Sequence, residues 1–343
     1  MSANTAAPSI AVVVPTRRAG ENLRRCLRSL AAARPAPDEI LVVVDGDDPT
    51  DKQIAAACGV TPLALPHNRG PAAARNHGAH AATSDILFFV DADVELPGNT
   101  IAKIRESFRN ADPDVAAIIG SYDDAPSAPG FFSRYKNLAH HFVHQHADEE
   151  GCTFWGACGA IRREVFLSLN GFSEAFTRPS VEDIELGYRL KAEGHRIRIR
   201  KDLQVKHGKR WSARSLFVTD VLHRAIPWTR LLLAYGRLDD DLNIATGERL
   251  KVVLAWLAVA AGAAGIAVPA VLGLVPALLL VLLALDRPLL GFLRARHGSW
   301  FAARAGLWHC FYHLYSGLGF GIGVFLHCVR RPAHRRLQEK AAA

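Results

Sequence analysis

The stretch Ile86-Leu87-Phe88-Phe89-Val90-Asp91-Ala92-Asp93 joins an apolar run to two closely spaced carboxylates. An unbroken apolar run of this length predicts a β-strand buried on both faces, as in a parallel sheet covered by helices. In extended backbone the i, i+2 spacing puts Asp91 and Asp93 on the same side. Two carboxylates at the carboxyl end of such a strand can hold Mg²⁺ or Mn²⁺ against phosphates. The following Leu96-Pro97-Gly98-Asn99 also suits a plain solvated turn, so both interpretations stay open here.

Two earlier apolar runs predict neighbouring strands of the same sheet. Ile10–Val14 ends at Pro15, and Ile40–Val44 ends at the acidic loop Asp45-Gly46-Asp47. Leucines at helical spacing lie between the two runs, which indicates a right-handed parallel β-α-β unit. We therefore predict an α/β domain with a Rossmann-like, mostly parallel sheet flanked by helices. Asp45 suits either a hydrogen bond to a nucleotide base or an Asx turn before Gly46.

A second group of carboxylates begins a later helix. Ser180 has the character of an N-cap, and Glu182 and Asp183 would lie in the first turn, near the positive end of the helix dipole. Three carboxylates within four positions, including Glu185, exceed what capping requires, so chemistry is a reasonable role for one of them.

Two other polar stretches allow several interpretations. Residues 131–146 form a predicted helix carrying His140, His141, His144 and His146, which suits a second metal site, a membrane-surface helix facing an acceptor, or a solvated face. Residues 194–214 carry eight lysines and arginines against one acid, and Arg196–Arg200 alternates as an edge strand does. This basic run suits a solvated face, a pyrophosphate or anionic headgroups.

The composition separates a soluble part from an apolar part. Residues 250–285 carry Lys251 as their one charge, and 307–329 form another apolar run. A single helix of 36 residues would be about 54 Å long, against a hydrocarbon core of ~30 Å, so we expect a hairpin of two short spans and then a third span. With three spans, the basic tail 330–343 would lie outside the cytoplasm, which opposes the positive-inside tendency. With a single crossing at 250–285, the arginines of 287–304 would lie outside instead. We divide the chain into domain 1–212, interfacial helices 213–249, transmembrane region 250–329 and the tail.

Composition also excludes some classes of protein. The six cysteines form no Cys-x-x-Cys pair, which argues against a cysteine zinc site or a disulfide framework. The net charge of +8 comes without a nucleic-acid motif, so we expect no nucleic-acid partner. The start, Met1–Ser9, lacks the pattern of a signal peptide, and we expect the first domain to stay in the cytoplasm.

Taken together, these residues resemble family 2 glycosyltransferases of the GT-A fold over about 10–240. The resemblance rests on motifs in a set order: Val-Pro-Thr at 14–16, Asp45-Gly46-Asp47, Asn68-Arg69-Gly70, Arg75-Asn76, Asp91-Ala92-Asp93, Gly-Ala-Cys-Gly-Ala at 156–160, Asn170-Gly171-Phe172 and Glu182-Asp183. The acidic loop departs from the usual Asp-Asp-Gly-Ser order. The Gln-x-x-Arg-Trp signature of polymerising members is also missing, which implies single transfer.

The resemblance implies a metal-dependent, inverting enzyme that uses Mn²⁺ or Mg²⁺ and a UDP- or GDP-sugar. It gives Asp183 the role of catalytic base and places the metal on Asp91, Asp93 and His207, although His207 also suits a strand-end histidine without a ligand. The implied donor contacts are Pro15, Thr16, Arg17, Asp45, Asp47, Arg69, Gly70, Arg75, Asp91, Ala92 and Trp211.

Because of the apolar region, we also expect a lipid acceptor, such as a polyprenyl phosphate, a sterol-like lipid or a glycolipid. It also implies a multi-pass protein of the cell inner membrane. Two alternatives are a sugar-nucleotide pyrophosphorylase-like enzyme and an inactive membrane scaffold.

Overall fold

A computed structural model describes residues 7–236 and 242–329, and the predicted basic tail 330–343 lies outside them. The chain divides into two compact units, Met1–Arg210 and Trp211–Ala343.

The first unit is built on a nine-stranded sheet with the order β3-β2-β1-β4-β8-β6-β9-β5, and β7 pairs with β9. The strands are β1 (Ile10–Thr16), β2 (Glu39–Asp45), β3 (Leu63–Leu65), β4 (Ile86–Val90), β5 (Val94–Glu95), β6 (Val115–Tyr122), β7 (Glu150–Gly151), β8 (Cys158–Arg162) and β9 (Arg196–His207). All five residues of β4 are buried, as the apolar run predicts.

The sheet is mixed, and this corrects the prediction of a mostly parallel one. β3, β2, β1 and β4 are parallel, but β8 runs antiparallel between β4 and β6. β9 runs parallel to β6 and antiparallel to β5. An apolar run shows that a strand is buried on both faces, but it does not show in which direction the strand runs.

The predicted edge strand at Arg196–Arg200 is also wrong, because β9 pairs on both sides. Its apolar residues Ile197 and Ile199 are buried, as in a sheet interior. Two of its arginines pair with acids: Arg196 contacts Glu150, and Arg200 contacts Asp202.

Helices cover the sheet and continue into the second unit. Those of the first unit are α1 (Glu21–Ala31), α2 (Pro49–Ala57), α3 (Pro71–Ala81), α4 (Thr100–Arg109), α5 (Phe131–His146), α6 (Arg163–Ser168) and α7 (Glu182–Ala192). α3 packs closely on the sheet, because a Cβ at Gly78 would lie 2.5 Å from a methyl group of Val13.

The second unit is helical throughout its described residues. It contains α8 (Ala213–Val218), a π-helix (Thr219–Ala225), α9 (Ile226–Tyr235), short 3₁₀ turns at Leu242–Ile244 and Pro269–Gly273, α10 (Thr246–Ala264), α11 (Leu274–Leu285) and α12 (Arg287–Val329). α12 is kinked at Gly298, whose φ of 82° is not helical.

The predicted membrane spans at 250–285 and 307–329 are not established by these helices. Among the described helices, none alone has both the length and the hydropathy of a span. One pair, Pro269–Leu285 with Arg287–Val329, meets both requirements together but is bent by 64°. The run at 250–285 is broken near Pro269, where proline removes a backbone donor and interrupts the helix.

Candidate functional site

Arg75 lies between the two acidic motifs that the sequence singled out. Its guanidinium donates to Asp91 Oδ1 at 2.7 Å and to Glu182 Oε1 at 3.0 Å. Burial by itself would lower the pKa of Arg75, but the carboxylates of Asp91, Glu182 and Asp183 outweigh it, so the pKa is raised and the side chain stays charged. One buried cation therefore holds the end of β4 beside the start of α7.

The three carboxylates of α7 have different surroundings. Glu182 is buried and accepts hydrogen bonds from Arg75 and from the Ser180 amide at 2.9 Å. Glu185 pairs with Arg189 at 2.7 Å. Asp183 is only half-buried, and it accepts from the Gly156 amide at 3.1 Å and from the Ile184 amide at 2.9 Å. Asp183 is thus the most exposed of the three α7 carboxylates, and two backbone amides hold it.

The predicted cap of this helix needs correction. α7 begins at Glu182, its N-cap residue is Val181, and no side chain caps it. Ser180 instead donates its backbone amide to Glu182. The Glu182 carboxylate accepts that amide together with Arg75, and this fixes the chain just before the helix.

Asp93 and His207 face each other across the short antiparallel pair of β5 and β9. His207 Nε2 lies 3.7 Å from Asp93 Oδ2, and the Gly208 amide donates to the Asp93 carbonyl oxygen at 2.7 Å. The His207 ring stacks on Tyr122 with centroids 4.1 Å apart. Burial, helped by nearby Lys209, lowers the pKa of His207 to about 3, so the imidazole is neutral. Burial raises the pKa of Asp93, although Lys209 opposes this.

These donors fit a hard divalent cation. A neutral imidazole nitrogen and carboxylate oxygens are both normal ligands for Mn²⁺, and carboxylates suit Mg²⁺ as well. The distance of 3.7 Å between His207 and Asp93 allows one ion to contact both. Asp91 gives one oxygen to Arg75 at 2.7 Å, and its side chain is 36% exposed. Asp91, Asp93 and His207 are therefore the residues that would hold the ion.

The loop after β1 is held by a carboxylate that the sequence analysis missed. Asp51 is fully buried and accepts hydrogen bonds from the Thr16 hydroxyl at 2.6 Å and from the Ala19 and Gly20 amides. Nearby lies an open depression of about 390 Å³, lined by Arg18, Gly20 and residues 47–51. Asp51 looks in sequence like one more first-turn acid after the N-cap Asp48, which is why it was missed.

Asp45 holds the neighbouring loop. Its two oxygens accept the amides of Arg69 at 2.7 Å and Gly70 at 2.9 Å. The Asp45 carboxylate therefore ties the end of β2 to the loop before α3, and its contact with a nucleotide base stays a prediction. Arg69 pairs with Glu174, whereas Asp47 is exposed and pairs with Lys52.

The other predicted donor residues are spread around this edge of the sheet. Pro15 is a residue of β1, and Arg17 follows that strand directly. Ala92 is buried between the two aspartates. Trp211 is the first residue of the second unit.

The histidines of α5 are used mainly for packing. His141 Nδ1 contacts the Tyr122 carbonyl oxygen at 2.8 Å, and His144 Nδ1 contacts that of Gly120 at 2.9 Å. His140 lies against His144 and Trp155. His146 contacts its own helix at Phe142. In the part of the chain that the structure describes, no group of three metal ligands includes these histidines.

Comparison with known proteins supports the predicted resemblance of the first unit to family 2 glycosyltransferases. Residues 11–169 match the family described as Glycosyl transferase family 2, and residues 136–211 match the N-terminal domain of galactosyltransferase. The pre-mycofactocin glycosyltransferase of Mycobacterium tuberculosis strain H37Rv is 30% identical over 227 residues, which are 61% of this chain and 45% of that protein.

Two further proteins are similar to this chain. Validoxylamine A glucosyltransferase of Streptomyces hygroscopicus subsp. limoneus is 26% identical over 220 residues, 54% of this chain and 49% of that protein. The chain thus spans about half the length of the curated relatives it matches. The structure also resembles a solved mannosyltransferase of Pyrobaculum calidifontis in complex with GDP-Man and Mn²⁺. The match covers 89% of this chain and 88% of that chain, with a TM-score of 0.61 and 19% identity. That likeness is one of fold.

Proposed function

We propose that the chain is a family 2 glycosyltransferase, since residues 11–169 match that family, and that it transfers a sugar from a nucleotide-sugar donor to an acceptor hydroxyl, by single transfer with inversion. The observation that carries the proposal is the pair of Arg75 ion pairs, to Asp91 and to Glu182. They bring the cation-binding motif and the Asp183 motif to one place, as a reaction that needs both a diphosphate site and a base requires.

Each group has a defined task in this reaction. A bound Mn²⁺ or Mg²⁺ supplies charge that stabilises the departing diphosphate. Asp91, Asp93 and His207 orient the donor's diphosphate side, and the loop after β1 with its depression receives the nucleoside. Asp183, held by the Gly156 amide, takes the proton of the attacking hydroxyl. Direct attack from the opposite face of the sugar inverts the anomeric carbon.

The acceptor we propose is of the lipid type, presented at a membrane that the second unit contacts. Support comes from the surface of the molecule, because every exposed large apolar side chain of the described residues lies in the second unit. A soluble acceptor is the competing option, since two relatives are named for pre-mycofactocin and validoxylamine A.

The test is a donor and acceptor assay on the purified chain. A panel of nucleotide sugars is incubated with Mn²⁺ or Mg²⁺, with and without membrane lipid extract, and nucleoside diphosphate release and product are measured. Asp93→Ala should lose metal-dependent donor binding in titration calorimetry. Asp183→Asn should keep donor binding and lose transfer by about 10²–10⁴-fold, because an amide cannot accept the proton.

Several outcomes would contradict parts of the proposal. Near wild-type transfer by Asp183→Asn would remove Asp183 as the base, and unchanged metal affinity and turnover in His207→Ala would remove His207 as a ligand. Conversion of a nucleotide sugar and added pyrophosphate into sugar 1-phosphate and nucleoside triphosphate would favour a pyrophosphorylase, and inertness with every donor would favour a scaffold. Asp112→Asn is the matched control, since Asp112 is exposed and pairs only loosely with Arg196 at 3.5 Å.

A further inference from the structure

The second unit contains a buried polar cluster that the proposed reaction does not use. It joins three helical segments: α10 contributes Glu248 and Lys251, the end of α11 contributes Asp286, and α12 contributes His309 and His313. Asp286 and His313 are each 1% exposed and His309 is 7% exposed. Such groups are rarely buried in an apolar helical bundle unless they are paired or bind an ion.

The two histidines are directed at the same carboxylate. His313 Nε2 lies 3.2 Å from Asp286 Oδ2, and His309 Nε2 lies 3.7 Å from Asp286 Oδ1. Three residues, Glu248, His309 and His313, each offer one ligand atom, and these three atoms lie within 4.8 Å of one another. Two donors that share a tetrahedral Zn²⁺ at 2.0–2.1 Å are about 3.3 Å apart, so the cluster is close to the required spacing.

The net charge of this cluster favours the binding of a cation. Lys251 Nζ lies 2.6 Å from Glu248 and 3.0 Å from Asp286. When the imidazoles are neutral, as metal binding requires, two carboxylates and one ammonium leave one net negative charge beside the buried Asp286, which is costly. A divalent ion in place of the ammonium would make the site neutral. Lys251 can yield its position because its charge sits on a flexible four-carbon stem.

We propose that Glu248, Asp286, His309 and His313 bind a divalent transition metal of the Zn²⁺ type, in exchange with the Lys251 ammonium. Two imidazoles favour Zn²⁺ over Mg²⁺ or Ca²⁺, which prefer oxygen ligands alone. Because the ligands come from three helical segments, the ion would fasten α10 to the α11–α12 junction. This site is independent of the cation proposed at Asp91 and Asp93.

The experiment uses the full chain in detergent, stripped of metal with a chelator and carrying Asp93→Ala to remove the first cation site. Co²⁺ is titrated while its visible absorption is recorded, and Zn²⁺ is then added as competitor. We expect one equivalent of Co²⁺ with the intense bands of tetrahedral nitrogen and oxygen coordination, displaced by one equivalent of Zn²⁺. His313→Ala should weaken Zn²⁺ binding by at least ~100-fold, since even outer groups of metal sites cost 10–100-fold.

Two further variants separate a metal site from a simple ion-pair network. Lys251→Met removes the competing ammonium, so it should strengthen metal binding, whereas in a network without metal it would only destabilise the protein. His297→Ala is the matched control, because His297 also lies on α12, where it contacts Phe301. Absence of the Co²⁺ bands in the folded Asp93→Ala chain, or equal affinity in Lys251→Met and the parent, would overturn the proposal. Circular dichroism verifies folding, and His309→Gln replaces His313→Ala if that variant does not fold.

Discussion

Arg75 is buried between carboxylates from two distant parts of the sequence, Asp91 after β4 and Glu182 at the start of α7. A buried ion pair is weak support for stability when compared with apolar packing, but removal of one partner leaves an uncompensated charge. Arg75 therefore supports the fold at the place where we propose that the reaction occurs. Its fit is tight, since a Cβ at Gly156 would lie 3.1 Å from the guanidinium carbon.

We expect Arg75→Met to lower the stability of the first unit by about 3–5 kcal/mol, because Glu182 would stay buried without its cation. The double variant Arg75→Met/Glu182→Gln should recover much of that loss, since the amide carries no charge. Thermal unfolding of both variants and of Glu182→Gln alone measures the effect. A double variant as unstable as Arg75→Met would show that the cost comes from lost packing rather than from an unpaired carboxylate.

Single residues also show what the sequence could and could not predict. Carboxylate spacing marked the pair Asp91 and Asp93 and one unspecified carboxylate at the start of α7 as candidate chemical groups, and the family resemblance then selected Asp183. It could not show that both carboxylate oxygens of Asp45 accept hydrogen bonds from the Arg69 and Gly70 amides. It also could not show that Asp51 holds the loop after β1. Residue type predicts what a side chain can do, whereas its partners depend on other segments of the chain, such as Arg69, which is 24 positions after Asp45.

The elements with the strongest local signals were predicted well. β4 coincides with the apolar run 86–90, and α5 at Phe131–His146 matches the helix predicted at 131–146. Strand direction was not predictable, because β8 and β9 find their places through long-range pairing with β4 and β6. The break near Pro269 could be anticipated from the proline, but the helix bounds around it could not.

The loop from 68 to 70 connects β3 to α3 and depends on one glycine. Gly70 has φ +93°, and a Cβ there would lie 2.5 Å from the Thr177 carbonyl oxygen. Gly59 provides a matched comparison, since it has φ +79° but nothing within 4 Å of its added Cβ. Both positions have a positive φ, but Gly70 also has ψ 167°, a conformation open mainly to glycine, and a second segment approaches it closely.

We expect Gly59→Ala to cost about 1–2 kcal/mol, the price of a left-handed conformation. Gly70→Ala should cost about 1–3 kcal/mol more, because the chain near Thr177 must move. It should also weaken donor binding, since the loop that Asp45 holds would shift. Thermal unfolding and calorimetry with the nucleotide test both statements; equal stability of the two variants would mean that Thr177 retreats without cost.

At the scale of the whole chain, the two units differ in surface chemistry. The first unit has a charged surface with many ion pairs, such as Arg105 with Asp38 and Lys191 with Glu150. The second exposes large apolar side chains, among them Ile266 at 87%, Leu307 at 77% and Leu280 at 67%. A protein in water rarely exposes so continuous an apolar surface, which marks a membrane or another protein as its neighbour.

We expect the second unit to hold the chain in a membrane. The single described helices fall short of a span, so the bent pair Pro269–Leu285 with Arg287–Val329 is the segment that would enter the bilayer. If apolar insertion holds the chain, a membrane pellet should retain it in about 1 M salt, where the Debye length is about 3 Å, and in alkaline carbonate, and only detergent should release it. If the basic residues alone hold it, salt should release it, and Arg294→Glu/Arg296→Glu should then weaken binding far more than Leu280→Lys. A chain found wholly in the soluble fraction without detergent would contradict membrane anchoring and leave contact between copies as the reason for the apolar surface.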